Sequence, residues 1–144
     1  MTAANSDLDG KWLVFYDSDC GFCRWSLGLL LRLDHERRLL PVKLSSPRAE
    51  DLLGDLTEER RMASWHLVSP TGQRWSAGLA LAPVCRLLRG GRRPAELLER
   101  APRLAERGYD WVAEHRGLLG GWLPSAAKRR AAALIESRSH PEAD

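Results

Sequence analysis

Hydrophobic residues in the first part of the chain fall into short runs separated by polar breaks. Residues 12–16 form an aromatic and β-branched run typical of a buried strand, and the polar residues 17–19 end it. Residues 20–33 then carry a broad apolar stripe at helical spacing, which predicts an amphipathic helix. Residues 39–44 predict a second strand, and Pro41 indicates an edge strand or a strand start.

The middle of the chain predicts a further set of short elements. Residues 45–62 are polar and charged, with a first-turn proline and a Thr-Glu-Glu helix start, so one or two short helices are expected. Residues 65–68 predict a third strand, and a Ser-Pro-Thr-Gly turn leads into a short strand at 73–76. A helix is expected at 78–88, ended by two glycines.

The last third is expected to be helical. Residues 94–107 and 109–115 predict two short helices, and 125–135 predict a terminal one. Between them the glycine-rich stretch 117–124 predicts a loop with exposed apolar side chains.

The order of these elements indicates an α/β fold. A right-handed βαβ crossover makes its two strands parallel, and a hairpin adds an antiparallel partner. The order is that of a thioredoxin-like plan, with a central mixed sheet of about four strands flanked by helices and with extra C-terminal helices. We expect a polar leader at 1–10, a thioredoxin-like domain at 11–117, and a partly helical C-terminal extension with a frayed end at 118–144.

The most informative motif is Cys20-Gly21-Phe22-Cys23, a C-x-x-C where a strand passes into a helix. At a helix N-terminus, unpaired backbone N–H groups and the helix dipole favour thiolate over thiol. Cys20 is therefore the expected nucleophile toward a disulfide. Cys23 follows three residues later on the same helical face, within reach to resolve a mixed disulfide.

Charged neighbours act on this pair in opposite directions. Arg24 adds positive charge, whereas Asp17 and Asp19 disfavour thiolate. Asp17 is also a candidate proton acceptor for Cys23.

Two other interpretations of the cysteines stay open. A C-x-x-C is half of a tetrahedral zinc site, but the sequence shows no second ligand pair at suitable spacing. The cysteines could also be structural thiols.

Cys85 lies in an apolar helical pattern and is expected to be a core thiol. The histidines are scattered, and most of the six tryptophans are expected in the core, including Trp122 in its predicted loop.

Composition limits the function classes. The net charge is +3 with a pI near 9.0, and the arginine-rich stretch 86–107 lacks interleaved aromatic residues, so a nucleic-acid partner is not expected. The longest apolar run is too short to cross a bilayer, so no transmembrane segment is expected. Three cysteines do not make a secreted disulfide scaffold, which favours a cytoplasmic location.

Residues 15–23, Phe-Tyr-Asp-Ser-Asp-Cys-Gly-Phe-Cys, resemble the signature of the DCC family (DUF393) of thiol-disulfide oxidoreductases. Residues 72–78 and 109–116 are similar to two later motifs of that family, the second of the form Tyr-x-x-x-Ala-x-x-Arg. The resemblance implies a thioredoxin-like domain with Cys20 and Cys23 as the redox-active pair. Ser18 stands where the family usually has glycine. Thioredoxins carry a cis-proline just before the third strand, whereas residues 62–65 here contain none.

The expected function is therefore dithiol–disulfide exchange by a small oxidoreductase without a bound cofactor or metal. Its partners would be a protein or a small thiol that carries a disulfide or dithiol. Electrons would come from a separate donor, because no dinucleotide-binding G-x-G-x-x-G is present. The alternative is a non-enzymatic thioredoxin-like binding module, or a zinc site built on the same cysteines.

Overall fold

The computed structural model describes residues 10–139 and contains a four-stranded mixed sheet in the order β2-β1-β3-β4. Helices flank this sheet, and further helices follow it in the chain, which confirms the thioredoxin-like α/β architecture. The strands are β1 (Trp12–Tyr16), β2 (Leu39–Lys43), β3 (His66–Val68) and β4 (Arg74–Ser76).

The strand directions follow from the connections between the strands. β1 and β2 are joined through a helix and run parallel, with Trp12 opposite Leu39. β1 and β3 are antiparallel, with Phe15 opposite His66, and β3 pairs with β4 in an antiparallel hairpin. β2 is an edge strand, as Pro41 indicated, since an edge strand tolerates a missing ladder donor. The end of β1 and the start of β3 therefore lie side by side.

Eight helical segments surround the sheet in the described part of the chain. A 3-10 helix at Ala77–Ala80 precedes α4, so the helix predicted at 78–88 is divided in two. The α-helices are α1 (Gly21–Leu33), α2 (Pro47–Leu53), α3 (Glu58–Ala63), α4 (Leu81–Leu87), α5 (Arg92–Arg100), α6 (Pro102–Trp122) and α7 (Ser125–Arg138). No helix within residues 10–139 has the length and apolarity needed to span a bilayer.

The two short helices expected between β2 and β3 are confirmed, and their caps explain where they begin. The Ser46 hydroxyl accepts the N–H of Ala49 before α2, where Pro47 occupies the first turn. The Thr57 hydroxyl accepts the N–H of Arg60 before α3. Each cap satisfies one donor that the first helical turn leaves without an intrahelical partner.

The sheet separates two apolar clusters, because successive side chains of β1 point to opposite faces. Phe15 is fully buried on the face covered by α2. Val14 and Tyr16 lie on the other face, which α1, α4 and α7 cover. This second face contains α1 and therefore determines where the cysteine pair lies.

The prediction of a loop at 117–124 is wrong for residues 117–122, because α6 continues to Trp122 as one helix of 21 residues. The two short helices predicted at 94–107 and 109–115 are likewise replaced by α5 and α6. One of the glycines that suggested a loop allows close packing instead: a Cβ on Gly120 would lie 3.4 Å from the backbone nitrogen of Phe22. Pro124 ends the helix, because a residue before proline avoids the α conformation.

The expectation that most of the tryptophans lie in the core is wrong, because four of the six are only partly buried and the two on α6 are exposed. Trp122 is 72% exposed and Trp111 is 56% exposed. Trp12 and Trp75 stack on each other with ring centroids 5.7 Å apart. They pack at the border of the apolar cluster that contains α1.

α7 lies along α1 and is held there at three points. Its start lies over Gly21 through Lys128, and its middle packs Ala131 against Gly28. Its end places Arg138 on Asp34, with Arg138 Nη2 2.5 Å from Asp34 Oδ2. Asp34 also accepts the backbone N–H groups of residues 38 and 39. This buried ion pair therefore joins the ends of α1 and α7 to the start of β2.

Candidate active site

Cys20 is the N-cap of α1, as its position after the strand predicted. A turn follows β1, in which the Asp17 carboxylate accepts the N–H of Asp19 and the Asp17 carbonyl accepts the N–H of Cys20 at 3.4 Å. The backbone of Cys20 is extended, so its side chain faces the first helical turn. The Cys23 N–H donates to Cys20 Sγ across 3.3 Å.

Cys23 lies one turn further along α1, and the two cysteines approach each other to 2.8 Å. Both are free cysteines and both are partly exposed. Residues three apart on a helix share one face, so the local backbone alone brings the two sulfurs together.

The two thiols are not equivalent. Burial raises the pKa of the Cys23 thiol to about 12, and the hydrogen bond and negative charge of Cys20 add to the increase, followed by the charge of Asp17. Arg116 acts against them and lowers that pKa. At neutral pH, Cys23 is therefore protonated.

α6 brings a cation to the cysteine pair from the distant part of the chain. Arg116 Nη1 lies 3.9 Å from Cys23 Sγ, in hydrogen-bonding range for sulfur. The guanidinium of Arg116 also interacts with the charges of Cys20 and Asp17. Since arginine stays protonated, it supplies a permanent positive charge beside the sulfur of Cys23.

Tyr109 lies two helical turns before Arg116 on the same face of α6. Its hydroxyl accepts the backbone N–H of Trp65 at 3.2 Å, just before β3. Burial raises the pKa of Tyr109, and the charge of Cys23 raises it further. Tyr109 therefore connects the start of β3 to the neighbourhood of the cysteines.

α7 contributes Lys128, which lies over Gly21 inside the motif. A Cβ built on Gly21 would lie 3.6 Å from Lys128 Cε and 3.8 Å from Lys128 Nζ. The lysine stem thus covers the residue that follows Cys20. Within residues 10–139, Lys128 forms no ion pair and is only partly exposed.

The supporting residues predicted from sequence differ in how closely they are connected to the two cysteines. Asp17 closes the turn before Cys20, and its charge acts on Cys23. Asp19 is exposed in that turn. Arg24 donates its backbone N–H to the Cys20 carbonyl at 3.1 Å, whereas residues 10–139 show no contact of its guanidinium with either sulfur. Cys85 is half-buried on α4, where burial raises the pKa of its thiol.

Three residues of the site had no role in the sequence analysis, namely Tyr109, Arg116 and Lys128. The first two belong to the Tyr-x-x-x-Ala-x-x-Arg stretch, whose spacing of seven residues was a signal that both share a helical face. Nothing in the sequence around Lys128 indicated that α7 would lie against α1.

The other polar candidates have structural environments. Burial lowers the pKa of His66, whose Nε2 lies 2.9 Å from the Arg61 carbonyl and whose Nδ1 lies 2.6 Å from the Ser76 hydroxyl. This neutral ring ties α3 and β4 to β3. In the part of the chain that the structure describes, no group of three or more His, Cys, Asp or Glu side chains could hold a metal ion.

Comparison with known families agrees with this arrangement. The family model of the DCC1-like thiol-disulfide oxidoreductases matches residues 14–122. The chain belongs to this family. The match to the DCC1-like family includes the cysteine motif and all of α6, and it ends before α7. No curated protein and no solved structure matches the chain.

Proposed function

We propose that this DCC1-like protein exchanges disulfides through Cys20 and Cys23, with Cys20 as the nucleophile and Cys23 as the resolving thiol. The observation that carries the proposal is the asymmetric pair at the start of α1. One sulfur receives a backbone N–H, and the other has a pKa raised to about 12, chiefly by burial. Family membership supports the same chemistry.

In the first step, Cys20 thiolate attacks one sulfur of a substrate disulfide. A bond forms between Cys20 Sγ and that sulfur, and the substrate's other sulfur leaves as a thiolate that takes a proton from water. The N–H of Cys23 and the N-terminus of the 13-residue helix α1 stabilise negative charge on Cys20 Sγ.

In the second step, Cys23 attacks Cys20 Sγ and releases the second substrate thiol. Once Cys20 is in the mixed disulfide, its negative charge and its hydrogen bond no longer raise the pKa of Cys23. Arg116 still lowers that pKa. Formation of the mixed disulfide therefore favours loss of the Cys23 proton, for which Asp17 is the proposed acceptor.

The net reaction transfers two electrons from the dithiol to the substrate and leaves a Cys20–Cys23 disulfide. A separate dithiol donor must then reduce the protein. We propose proteins or small molecules that carry a disulfide or dithiol as partners and the cytoplasm as the location, because a C-x-x-C turns over where a reductant supply exists.

The proposal is tested by thiol labelling and mass spectrometry of the protein after diamide and after dithiothreitol. We expect a reversible loss of two hydrogens that maps to a Cys20–Cys23 bridge. Cys20→Ser should abolish disulfide reduction, while Cys23→Ser should accumulate mixed disulfides through Cys20. Turnover retained in Cys20→Ser would overturn the assignment. Stoichiometric zinc that protects both cysteines from alkylation would favour the metal-binding alternative.

A further inference from the structure

The backbone beside the cysteine pair is closed to an incoming peptide strand. Trp65 lies at the start of β3, next to the end of β1 that leads to Cys20. Its N–H donates to the Tyr109 hydroxyl, and its carbonyl accepts the N–H of Ala77 at 3.1 Å. A peptide that docks by strand addition needs free backbone donors and acceptors. Trp65 has neither.

α6 also covers one flank of the motif. The backbone of Gly120 packs so closely on Phe22 that a Cβ there would lie 3.4 Å from the Phe22 nitrogen and 3.5 Å from its Cβ. α6 at Phe22 and the bonded Trp65 thus restrict two approaches to the motif, and the approach past Gly21 leads along the start of α7.

The charged groups around Cys20 differ between these two sides. Asp17 and Arg116 act on each other and on Cys23, so their opposite charges largely offset one another. Asp19 is exposed in the preceding turn and already donates its backbone N–H to Asp17. Lys128 lies over Gly21, and no acidic residue among 10–139 forms an ion pair with it. A molecule that approaches past the start of α7 therefore meets an ammonium group at the residue that follows Cys20.

We propose that the substrate of this pair is a small disulfide bearing carboxylate groups, and that Lys128 determines this preference by binding a carboxylate while the disulfide reaches Cys20. The inference rests on the proposed exchange chemistry and adds the substrate class. A Cβ built at position 21 would be in van der Waals contact with the lysine side chain at 3.6 to 3.8 Å, so Lys128 lies directly over the residue that follows Cys20.

The geometry of α7 makes this lysine a fixed feature of the site. Ala131 packs on Gly28 one turn after Lys128, and Arg138 binds Asp34 at the far end of the same helix. These two contacts hold α7 along α1, so the backbone of Lys128 stays near the motif and its side chain reaches Gly21 from there. α7 lies beyond the residues that match the DCC1-like family model, so the proposed preference does not follow from the family match and is specific to this chain.

The test uses three small disulfides of similar length that differ in charge: dithiodipropionate, hydroxyethyl disulfide and cystamine. Insulin serves as a protein disulfide. The fully reduced protein is mixed with each, and the rate constant for oxidation of the Cys20–Cys23 pair is measured at low ionic strength. Each rate is divided by that of dithiothreitol with the same compound, which removes differences in intrinsic reactivity.

We expect the normalised rate to be highest for dithiodipropionate and lowest for cystamine, by about tenfold, because one ammonium lies over Gly21, the residue that follows the reacting Cys20. Lys128→Gln should reduce this ratio by about threefold to tenfold, Lys128→Glu should invert it, and Lys128→Arg should retain it. Arg129→Gln removes the same charge from an exposed position of α7 and should leave the ratio as it is. Salt should weaken the preference.

The outcomes separate the two proposals. If none of the four disulfides oxidises the wild-type pair, the exchange chemistry itself fails. If all small disulfides react at normalised rates that do not depend on charge, or if Lys128→Glu leaves their order unchanged, the exchange chemistry stands and the role of Lys128 is wrong. Faster normalised reaction with insulin than with dithiodipropionate would overturn the small-substrate inference.

Discussion

Arg116 Nη1 lies 3.9 Å from the sulfur of Cys23, although 93 residues separate them in the chain. The contact joins α6 to the first turn of α1 at the sulfur whose pKa is raised by burial. A buried thiol is a poor nucleophile at neutral pH because so little of it is thiolate. The arginine opposes this effect, which makes it a positioning and electrostatic residue for the second step of the proposed exchange.

Arg116→Met should therefore slow the release of a mixed disulfide from Cys20. Loss of the charge raises the pKa of Cys23 and reduces its thiolate fraction. The rate should fall by only about threefold to tenfold, because a more basic thiolate is also a better nucleophile. Arg116→Lys should restore part of the rate. Rapid-quench alkylation of the mixed disulfide measures this step directly.

The attack by Cys20 provides the internal comparison for this variant. It precedes the step that needs Cys23 thiolate, so its rate should fall less than the rate of resolution. Equal slowing of both steps, or a Lys variant no better than the Met variant, would mean that Arg116 only supports the packing of α6.

The same thiol gives the second step a characteristic pH dependence. The pKa of Cys23 is raised, so its thiolate becomes more abundant as the pH increases. In the mixed disulfide the contribution of Cys20 is gone, but burial, the largest cause, remains. The rate of resolution should therefore increase by about tenfold per pH unit from about pH 6 to about pH 8.5. Quenched-flow measurements on preformed mixed disulfide check this, and a plateau below pH 8 would contradict it.

Local pattern was enough to predict the elements that hold the cysteines. β1 ends at the polar turn after Tyr16, and Cys20 follows as the N-cap of α1, because both features depend only on neighbouring residues. The mixed sheet followed from element order and connection handedness. For this reason the C-x-x-C could be placed before any tertiary contact was known.

The rest of the site depends on packing between distant segments. The glycines at 117, 120 and 121 indicated a loop, whereas the close approach of Gly120 to Phe22 uses one of them inside α6. Continuation of that helix and its packing on α1 bring Arg116 to Cys23. Lys128 reaches Gly21 only because α7 lies on α1, and its own surroundings in the sequence carry no sign of this.

The ion pair between Asp34 and Arg138 should contribute strongly to stability. The side chain of Asp34 is fully buried and that of Arg138 is 9% exposed, so removing the arginine leaves an unpaired charge inside the protein. Arg138→Met should lower the free energy of unfolding by about 3 kcal/mol, measured by urea denaturation. Arg92→Gln, which breaks an exposed pair with Glu96, is the matched control and should have little effect. If both variants lose a similarly small amount of unfolding free energy, the buried pair contributes no more to stability than the exposed pair.

Glycine-to-alanine changes in two helices should have opposite effects on the free energy of unfolding. In a helix interior, alanine is favoured over glycine by about 1 kcal/mol. At Gly28, however, a Cβ would lie 2.7 Å from the Cβ of Ala131 and 3.0 Å from its Cα, so α7 must move away from α1. We expect Gly28→Ala to destabilise the protein by about 1 to 3 kcal/mol.

Gly108 on α6 is the comparison, since nothing lies within 4 Å of the position its Cβ would take. Gly108→Ala should stabilise the protein by up to about 1 kcal/mol. Urea unfolding of both variants measures the pair of effects, and stabilisation by Gly28→Ala would show that α7 is not packed on α1 as described. Because that packing also holds Lys128 over Gly21, Gly28→Ala should weaken the charge preference among small disulfides, whereas Gly108→Ala should leave it intact.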